Sequence, residues 1–409
     1  MKTLVTPVLI ISAAALLTAA NVDSIQPGGL TVHEWGTFTS VAGEDGSAID
    51  WSVLGCKSDL PRFVNDFGYR GLKGGIAGTV RMETPVLYFY SAREVDAHVK
   101  VTFPQGIITE WYPQAEYEVH QNGGTDGSTP VAPRNIAGCM KCHASLNGIN
   151  TSLENVTGAL EWSNIHVQPG SSPSLPVESE PSRYYAARQT EAAPLAIGGQ
   201  QEKFLFYRGV GRFPVPLSAR VSSDGRVVVE NHGQRPVANV ILFENHDGRM
   251  GYRTAGAMEG SLTLDAPRLD GSFSQLRHDL ETTLIAQGLF PKEAHAMIET
   301  WRDSWFEEGS RLIYIVTAPT VDAVLPLQVE PAPSETVRVF VGRIEVVTPG
   351  TRRSVETAIA KGDWPTVDRY SRFLEPILKR IYTGNRAKAG EVENRLRNFQ
   401  ASREGGGCR

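Results

Sequence analysis

The sequence Cys139-Met140-Lys141-Cys142-His143 places two thiols three residues apart and an imidazole directly after the second thiol. This spacing is the signature of covalent c-type haem attachment. The two thiols add to the vinyl groups on one edge of a porphyrin, and the adjacent imidazole binds the iron as its proximal ligand. In a shuffled sequence of this composition, such a match would occur with a probability on the order of one in a thousand. The motif therefore predicts one covalent haem c, attached through Cys139 and Cys142 and ligated by His143.

Other uses of a Cys-x-x-Cys pair remain as alternatives. A thioredoxin-like redox pair is expected within a βαβ unit, and a zinc knuckle needs a second pair of ligands. Residues 121–133, before the motif, are rich in Gly, Asn, Ser and Pro and are typical of a loop. The two remaining cysteines, Cys56 and Cys408, stand alone in the sequence. A disulfide or redox pair at residues 139 and 142 is the main alternative, and whether Cys56 and Cys408 pair is left open.

The sixth iron ligand would decide between an electron carrier and an open, reactive haem. The next methionine after the motif is Met250, which lies in a region with strand signals. Two histidines, His120 and His166, are each 23 residues from His143, and closing a loop of that length costs little entropy. We predict bis-histidine ligation, with His166 ahead of His120 because a strand-like stretch adjoins it. His33 is the third choice, and a solvent-facing role is the alternative for both loop histidines.

Two further groups of polar residues are assigned structural roles. His33 and Glu34 lie in a predicted strand, so their side chains should point to opposite faces and could not both bind one metal. A buried strand with one hydrogen-bonded histidine is the simpler interpretation of this segment. Glu307 and Glu308 end a predicted helix and are expected to be solvated.

The N-terminus has the features of a secretory signal peptide. One lysine precedes the apolar run Leu4 to Leu17, and the small residues Thr18-Ala19-Ala20 form a cleavage site before Asn21. An uncleaved membrane anchor is the alternative. Because haem c is attached outside the bacterial cytoplasm, the signal and the motif together predict a periplasmic or extracellular protein.

Composition excludes several classes of partner. The formal net charge of −5 provides no basic stripe for nucleic acid, and no later apolar run is long enough to span a bilayer. The chain contains no Gly-x-Ser-x-Gly elbow, phosphate-binding loop or His-Glu-x-x-His motif. The oligomeric state is left open.

The hydrophobic patterns predict a mainly β protein with additional α-helices. Residues 95–103 alternate between apolar and polar types, as in a half-buried strand, whereas residues 276–285 and 291–305 have helical spacing. The predicted order is a signal peptide at 1–20, a β-rich domain at 21–117, an irregular haem-carrying segment at 118–200, an immunoglobulin-like β-sandwich at 201–265, a helical hairpin plus strands at 266–350, and C-terminal helices with a mobile tail at 351–409.

Several motifs resemble a family of uncharacterised secreted bacterial proteins that share a His-Glu-Trp-Gly-Thr-Phe opening. The similar segments cover most of the chain and are residues 31–38, 82–90, 109–114, 203–209 and 300–309. The resemblance implies export and a shared fold, and it implies no reaction.

From the residues we predict an exported monohaem c-type cytochrome that exchanges electrons with a redox partner protein. A haem enzyme with an open distal site, acting on peroxide, oxygen or a small nitrogen species, is the alternative. An extracellular binding or assembly module is a third possibility.

Overall fold

The computed structural model describes residues 29–52, 60–66, 77–121, 153–383 and 385–402. Within them the chain is a mixed α/β protein dominated by β-sheet, with helices at its C-terminal end, as the sequence predicted. The strands are β1 Thr31–Val41, β2 Trp51–Ser52, β3 Asn65–Asp66, β4 Ala77–Gly78, β5 Val80–Tyr90, β6 Val95–Phe103, β7 Gly106–Tyr112, β8 Glu116–Gln121, β9 Val156–Val167, β10 Leu195–Ile197, β11 Gln200–Glu202, β12 Leu205–Gly211, β13 Leu217–Val221, β14 Val227–Asn231, β15 Val240–His246, β16 Arg249–Ala255, β17 Ser261–Leu264, β18 Gly309–Val316, β19 Leu327–Glu330 and β20 Glu335–Val346. The helices are α1 Phe273–Ala286, α2 Pro291–Trp305, α3 Ala318–Val324, α4 Pro349–Lys361, α5 Trp364–Asp368, α6 Leu374–Ile381 and α7 Arg386–Ser402.

One 15-stranded sheet, here the main sheet, joins the two ends of the described chain. Its strand order is β11-β10-β9-β7-β12-β5-β1-β20-β18-β15-β16, and β1 pairs with β5 on one side and, in parallel, with β20 on the other. Thr31 is paired with Glu335 across this junction. The N-terminal strands therefore do not form a domain separate from the C-terminal ones.

Strand β9 carries a branch of the main sheet. Strands β6 and β8 both pair with β9, and β19 pairs with β6. Inward side chains of this branch, such as Val99 and Trp162, share a core with Leu87 and Tyr207 of the main sheet. The opposite face of the main sheet packs on α1 and α2 through a second core that includes Trp35 and Trp305. The main sheet is thus covered on both faces.

Two features of the structure differ from the organisation that the sequence predicted: the presence of strand β9, and the way in which the strands of residues 201–265 pair into sheets. Strand β9 occupies 12 residues of the segment predicted to be irregular. Strands β12, β15 and β16 belong to the main sheet, whereas β13, β14 and β17 form a separate three-stranded sheet. Residues 201–265 are therefore not a self-contained sandwich, because their strands pair with partners from distant parts of the chain.

Local sequence signals explain the helices that cover the main sheet. In α1, Leu276, Leu280 and Leu284 recur every four residues and are all buried, and Gly288 follows the helix with a positive φ of 109°. Pro291 begins α2, where its missing N–H leaves no intrahelical hydrogen bond unmade. Trp301 and Trp305 of α2 are buried against the main sheet. Among the described residues, no helix is long and apolar enough to cross a membrane.

Candidate functional site

The predicted haem-attachment residues and the unpaired cysteines lie outside the described residues: Cys56, Cys139, Cys142, His143 and Cys408. The described chain shows where the haem-motif segment is attached. Strand β8 ends at Gln121 and β9 begins at Val156, and these two residues are paired across antiparallel strands. The strands that flank residues 122–152 in the sequence are therefore adjacent in the sheet.

His120 lies at the base of that segment. Along β8, Tyr117 and Val119 point into the core, so Glu118 and His120 share the outer face of the strand. The Nε2 atom of His120 lies 3.1 Å from Oε2 of Glu118. Its Nδ1 atom is buried and has no hydrogen-bond partner among the described residues. Imidazoles that bind metals in proteins typically donate one ring N–H to a carboxylate and bind the metal through the lone pair of the other nitrogen.

His166 lies at the far end of β9. It is ten positions after Val156, which corresponds to roughly 33 Å along a strand. Its Nδ1 atom is 2.5 Å from Oδ1 of Asp96, and 56% of its side chain is exposed. His120 therefore lies nearer than His166 to the strand ends that flank residues 122–152, and the order of the two histidines as ligands stays a prediction.

His33 is a buried, hydrogen-bonded histidine. Its Nδ1 atom is 2.8 Å from Oε2 of Glu293, and its ring packs against Phe290 and Tyr90. The Tyr90 hydroxyl donates to Oε1 of the same carboxylate over 2.7 Å, and the Phe290 N–H donates to Oε2 over 2.8 Å. Burial, followed by the charge of Glu293, raises the pKa of Tyr90 far above its ordinary value. These contacts hold the start of α2 against β1 and β5, so His33 could not reach an iron without breaking them.

The neighbouring Glu34 points to the other face, which confirms the predicted alternation. Its carboxylate accepts hydrogen bonds from Nε of Arg338 at 2.6 Å and from the Tyr207 hydroxyl at 2.5 Å. Met250 lies in β16 opposite Asn245, and its carbonyl accepts the Gly271 N–H over 2.9 Å. Met250 is therefore part of a paired hairpin, as the sequence indicated.

The described residues contain a buried charge network that the sequence analysis missed. We define it as the ion-paired arginines and glutamates on the α2-facing side of the main sheet and at the adjoining helix ends: Arg81, Glu83, Glu307, Arg311, Arg343, Glu345 and Arg372. Exposure of their side chains runs from 0% for Arg311 and Arg343 to 14% for Arg81. Charges with so little exposure are stable only when they are paired and hydrogen-bonded.

Arg311 and Arg343 are the centre of this network. Nε of Arg311 is 3.0 Å from Glu345, and its Nη atoms donate to the carbonyls of Trp305, Glu307 and Glu308 at the end of α2. Nη2 of Arg343 is 2.6 Å from Oε1 of Glu307. The Arg311 guanidinium therefore satisfies one carbonyl group of the last turn of α2, that of Trp305, and two carbonyl groups of the segment that follows the helix.

Glu83 receives the remaining cations of the buried charge network. Nη1 of Arg372 is 3.1 Å from Oε1 of Glu83, Nε of Arg81 is 3.4 Å away, and the Thr39 hydroxyl donates over 2.8 Å. Burial acts to raise the pKa of Glu83, but the nearby guanidinium groups outweigh it and hold this pKa below its ordinary value. Glu83 is therefore held in its charged form by the network.

The expectation that Glu307 and Glu308 would be solvated is wrong. Glu307 contacts Arg343 and Arg372, and its side chain is 13% exposed. Glu308 is 5% exposed, accepts the Asp247 N–H over 2.7 Å and lies 3.7 Å from Arg369. The helix end is covered by the C-terminal part of the chain, which the local pattern could not reveal. Arginines within otherwise apolar strand runs, such as Arg343, were the available signal.

The arrangement of the network is that of a structural clamp. Its recorded contacts join strands β1, β5, β18 and β20 to the end of α2 and to Arg372, just before α6. Thr84, next to Glu83, has a φ of 46°, which is unusual for a β-branched residue, and β1 and β12 both shift register against β5 nearby. Among the residues that the structure describes, no group of three or more His, Cys, Asp or Glu side chains is arranged to hold a metal ion.

Comparisons with known proteins add no family. No protein-family profile and no curated protein sequence matches the chain. Among solved structures, the yeast delta-COP-I mu-homology domain is similar with a TM-score of 0.27 and 10% identity, over 79% of this chain and 98% of that one. The same domain complexed with a Dsl1 WxWxV peptide gives a TM-score of 0.24 and 10% identity, over 78% and 97%. TM-scores this low support no inference about fold family or function.

Proposed function

We propose that this chain is an exported monohaem c-type cytochrome that transfers electrons to or from a protein partner in the periplasm or outside the cell. The observation that carries the proposal is the Cys139-Met-Lys-Cys142-His143 spacing, which follows a secretory signal segment. The redox partner and the location are part of the same proposal.

Among the described residues, the side chain of His120 supports the proposal of a ligated haem. Cys139 and Cys142 would form the thioether links, His143 would bind the iron on one side, and His120 would bind it on the other. The orphaned Nδ1 of His120 and the Glu118 carboxylate on Nε2 support this choice of ligand. Haem iron with two imidazole ligands supplies one-electron transfer with no vacant position for a substrate.

Haem staining of the mature protein tests the attachment. The protein should be produced in a host that attaches haem c, separated in a denaturing gel and stained, with the double variant Cys139→Ala, Cys142→Ala as control. We expect a stained band for the natural chain and none for the double variant. An unstained natural chain, or equal staining of both, would refute the proposal.

The ligand assignment is tested by two matched histidine variants. We expect His120→Ala to convert a low-spin haem spectrum to high-spin and to allow carbon monoxide to bind the reduced protein. His166→Ala, at the far end of β9, should leave the spectrum unchanged.

The alternative, an enzyme with an open distal site, predicts a different result. Carbon monoxide or cyanide would then bind the natural chain directly, and neither histidine variant would change the spin state. A sulfur-to-iron charge-transfer band in the oxidised protein would instead assign a methionine ligand.

A further inference from the structure

The outer face of the β9 branch concentrates negative charge. Side chains alternate along β6, β8, β9 and β19, so one set fills the core and the other faces solvent. We define the outer acidic face as the solvent-facing ionisable residues of these four strands: Asp96, His98, Lys100, Glu116, Glu118, His120, Glu161, His166 and Glu330. It holds five carboxylates and one lysine, a net charge of −4 with the histidines neutral, whereas the entire chain has a formal net charge of −5.

Strand register makes this face continuous. Glu161 on β9 lies between Lys100 on β6 and Glu116 on β8, while Asp96 is opposite His166 and Glu330 is opposite His98. The ion pairs on it are partly exposed: Nζ of Lys100 is 3.2 Å from Oε2 of Glu161, with the two side chains 36% and 33% exposed. The charges are therefore available to a second molecule, in contrast to those of the buried charge network.

One end of the outer acidic face borders the segment that carries the haem motif. His120 is the last ionisable residue of β8 before residues 122–152, and Gln121 and Val156 are paired residues of the strands that flank that segment. A molecule bound to this face would consequently lie beside the two strand ends that flank residues 122–152.

We propose that the outer acidic face is the docking surface for a redox partner whose contact surface is rich in lysine. This inference rests on the proposed electron-transfer function and names the chemistry of the partner. Charge complementarity carries it, because electron-transfer complexes have small interfaces in which opposite charges guide encounter and orientation. The rest of the chain has a formal net charge of only −1 (−5 minus −4), so the outer acidic face is where a basic partner would be attracted.

The test is binding of a synthetic deca-lysine peptide to the mature, haem-loaded protein by isothermal titration calorimetry. The triple variant Asp96→Asn, Glu116→Gln, Glu330→Gln neutralises three exposed carboxylates of the outer acidic face. The control triple variant Glu259→Gln, Asp265→Asn, Asp270→Asn makes the same change in net charge at exposed positions elsewhere. We expect the first triple to weaken binding about tenfold at low salt and the control to change it less than about twofold.

Equal losses in the two triple variants, or no loss in the first, would overturn the proposal. The proposal would also be overturned if the natural chain bound zinc, the first triple variant did not, and both bound deca-lysine equally. The face would then be assigned to a cation. The same titration on the Cys139→Ala, Cys142→Ala variant separates the two hypotheses. If the natural chain does not stain for haem but binds deca-lysine through the outer acidic face, the proposed function alone is refuted. If the natural chain stains for haem but does not bind deca-lysine through this face, the docking surface alone is refuted.

Discussion

The molecule uses the same residue types in two opposite ways, in the buried charge network and on the outer acidic face. In the first, Arg311 and Glu345 are within 3.0 Å and their side chains are at most 1% exposed. On the second, Lys100 and Glu161 are within 3.2 Å but about one third exposed. The pair distances are nearly equal, so burial is the difference. It makes the first set a structural clamp, whereas the pairs of the second set remain in contact with solvent.

Removal of one partner of an ion pair should therefore lower the free energy of unfolding by very different amounts in the two regions. A buried ion pair adds little stability compared with a hydrophobic pair of similar volume. Removal of only one partner, however, leaves an uncompensated charge in a low-dielectric environment. An exposed pair is screened by water and salt, so its loss is nearly neutral. The following predictions use this contrast, from the largest effect to the smallest.

Arg343→Ala is expected to give the largest loss of stability. Glu307 would lose a contact at 2.6 Å, and Glu345 would lose one of its two cationic neighbours. Removal of one partner of a buried pair typically costs about 3–5 kcal/mol in the free energy of unfolding. Urea denaturation followed by circular dichroism measures the change.

Arg343→Met is the informative companion variant. It keeps aliphatic bulk at this position but removes the charge and the guanidinium carbon, which lies 5.0 Å from the centroid of the Phe373 ring. Combined with Glu307→Gln, it should recover part of the stability lost in Arg343→Ala, because fewer buried charges would remain unpaired. A loss below about 1 kcal/mol in Arg343→Ala would show that the network is as solvated as the outer acidic face and would break the comparison.

The two regions also differ in how far the sequence could predict them. Strand β6 was predicted with the bounds that the structure gives it, Val95–Phe103, because its apolar and polar residues alternate without interruption. The outward side chains of the acidic face follow from that alternation. Strand β9 was recognised only as a strand-like stretch beside His166, because Asn164, with a φ of 56°, interrupts the alternation and shifts the register against β6.

The buried charge network depends on contacts that no local pattern contains. Arg372 meets Glu83 across 289 positions, and β1 pairs with β20 across about 300. His33 and Glu34 could be assigned to opposite faces from strand geometry, but their partners Glu293 and Arg338 could not be named. For the same reason, the sequence indicated the correct local strands in 201–265 and grouped them incorrectly.

Glu308 provides an intermediate case, with an effect that depends on pH. Burial raises the pKa of the Glu308 carboxyl above its ordinary value, against the hydrogen bond from Asp247 and the charge of Arg369. A raised folded-state pKa stabilises the protein below the unfolded pKa, near 4.5, and this stabilisation is lost as pH rises through the folded pKa. Glu308→Gln keeps an oxygen that accepts the Asp247 N–H and removes the ionisation.

We therefore expect Glu308→Gln to gain stability relative to the natural chain as pH rises from 4 to 8. Urea denaturation at pH 4, 6 and 8 measures the difference, and each unit of pKa shift would correspond to about 1.4 kcal/mol. Glu308→Gln would also lose the ion pair with Arg369. Because Arg369 is exposed, this loss should lower the free energy of unfolding by less than about 1 kcal/mol. A difference that stays constant or falls with pH would contradict the assignment of Glu308 to the buried side of the comparison.

Lys100→Ala should have the smallest effect on folding and an opposite effect on binding. The Lys100–Glu161 pair is about one third exposed, so its loss should lower the free energy of unfolding by less than about 1 kcal/mol. Removal of the lysine also takes away the one cation of the outer acidic face other than its histidines, which makes that face more negative by one charge. Deca-lysine should therefore bind the variant more tightly than the natural chain at low salt, and the gain should disappear in 0.5 M salt, where the Debye length is only a few ångströms (about 4 Å). A large stability loss with unchanged affinity would place Lys100 among the clamp residues instead, and the distinction between the two charged regions would then fail at this position.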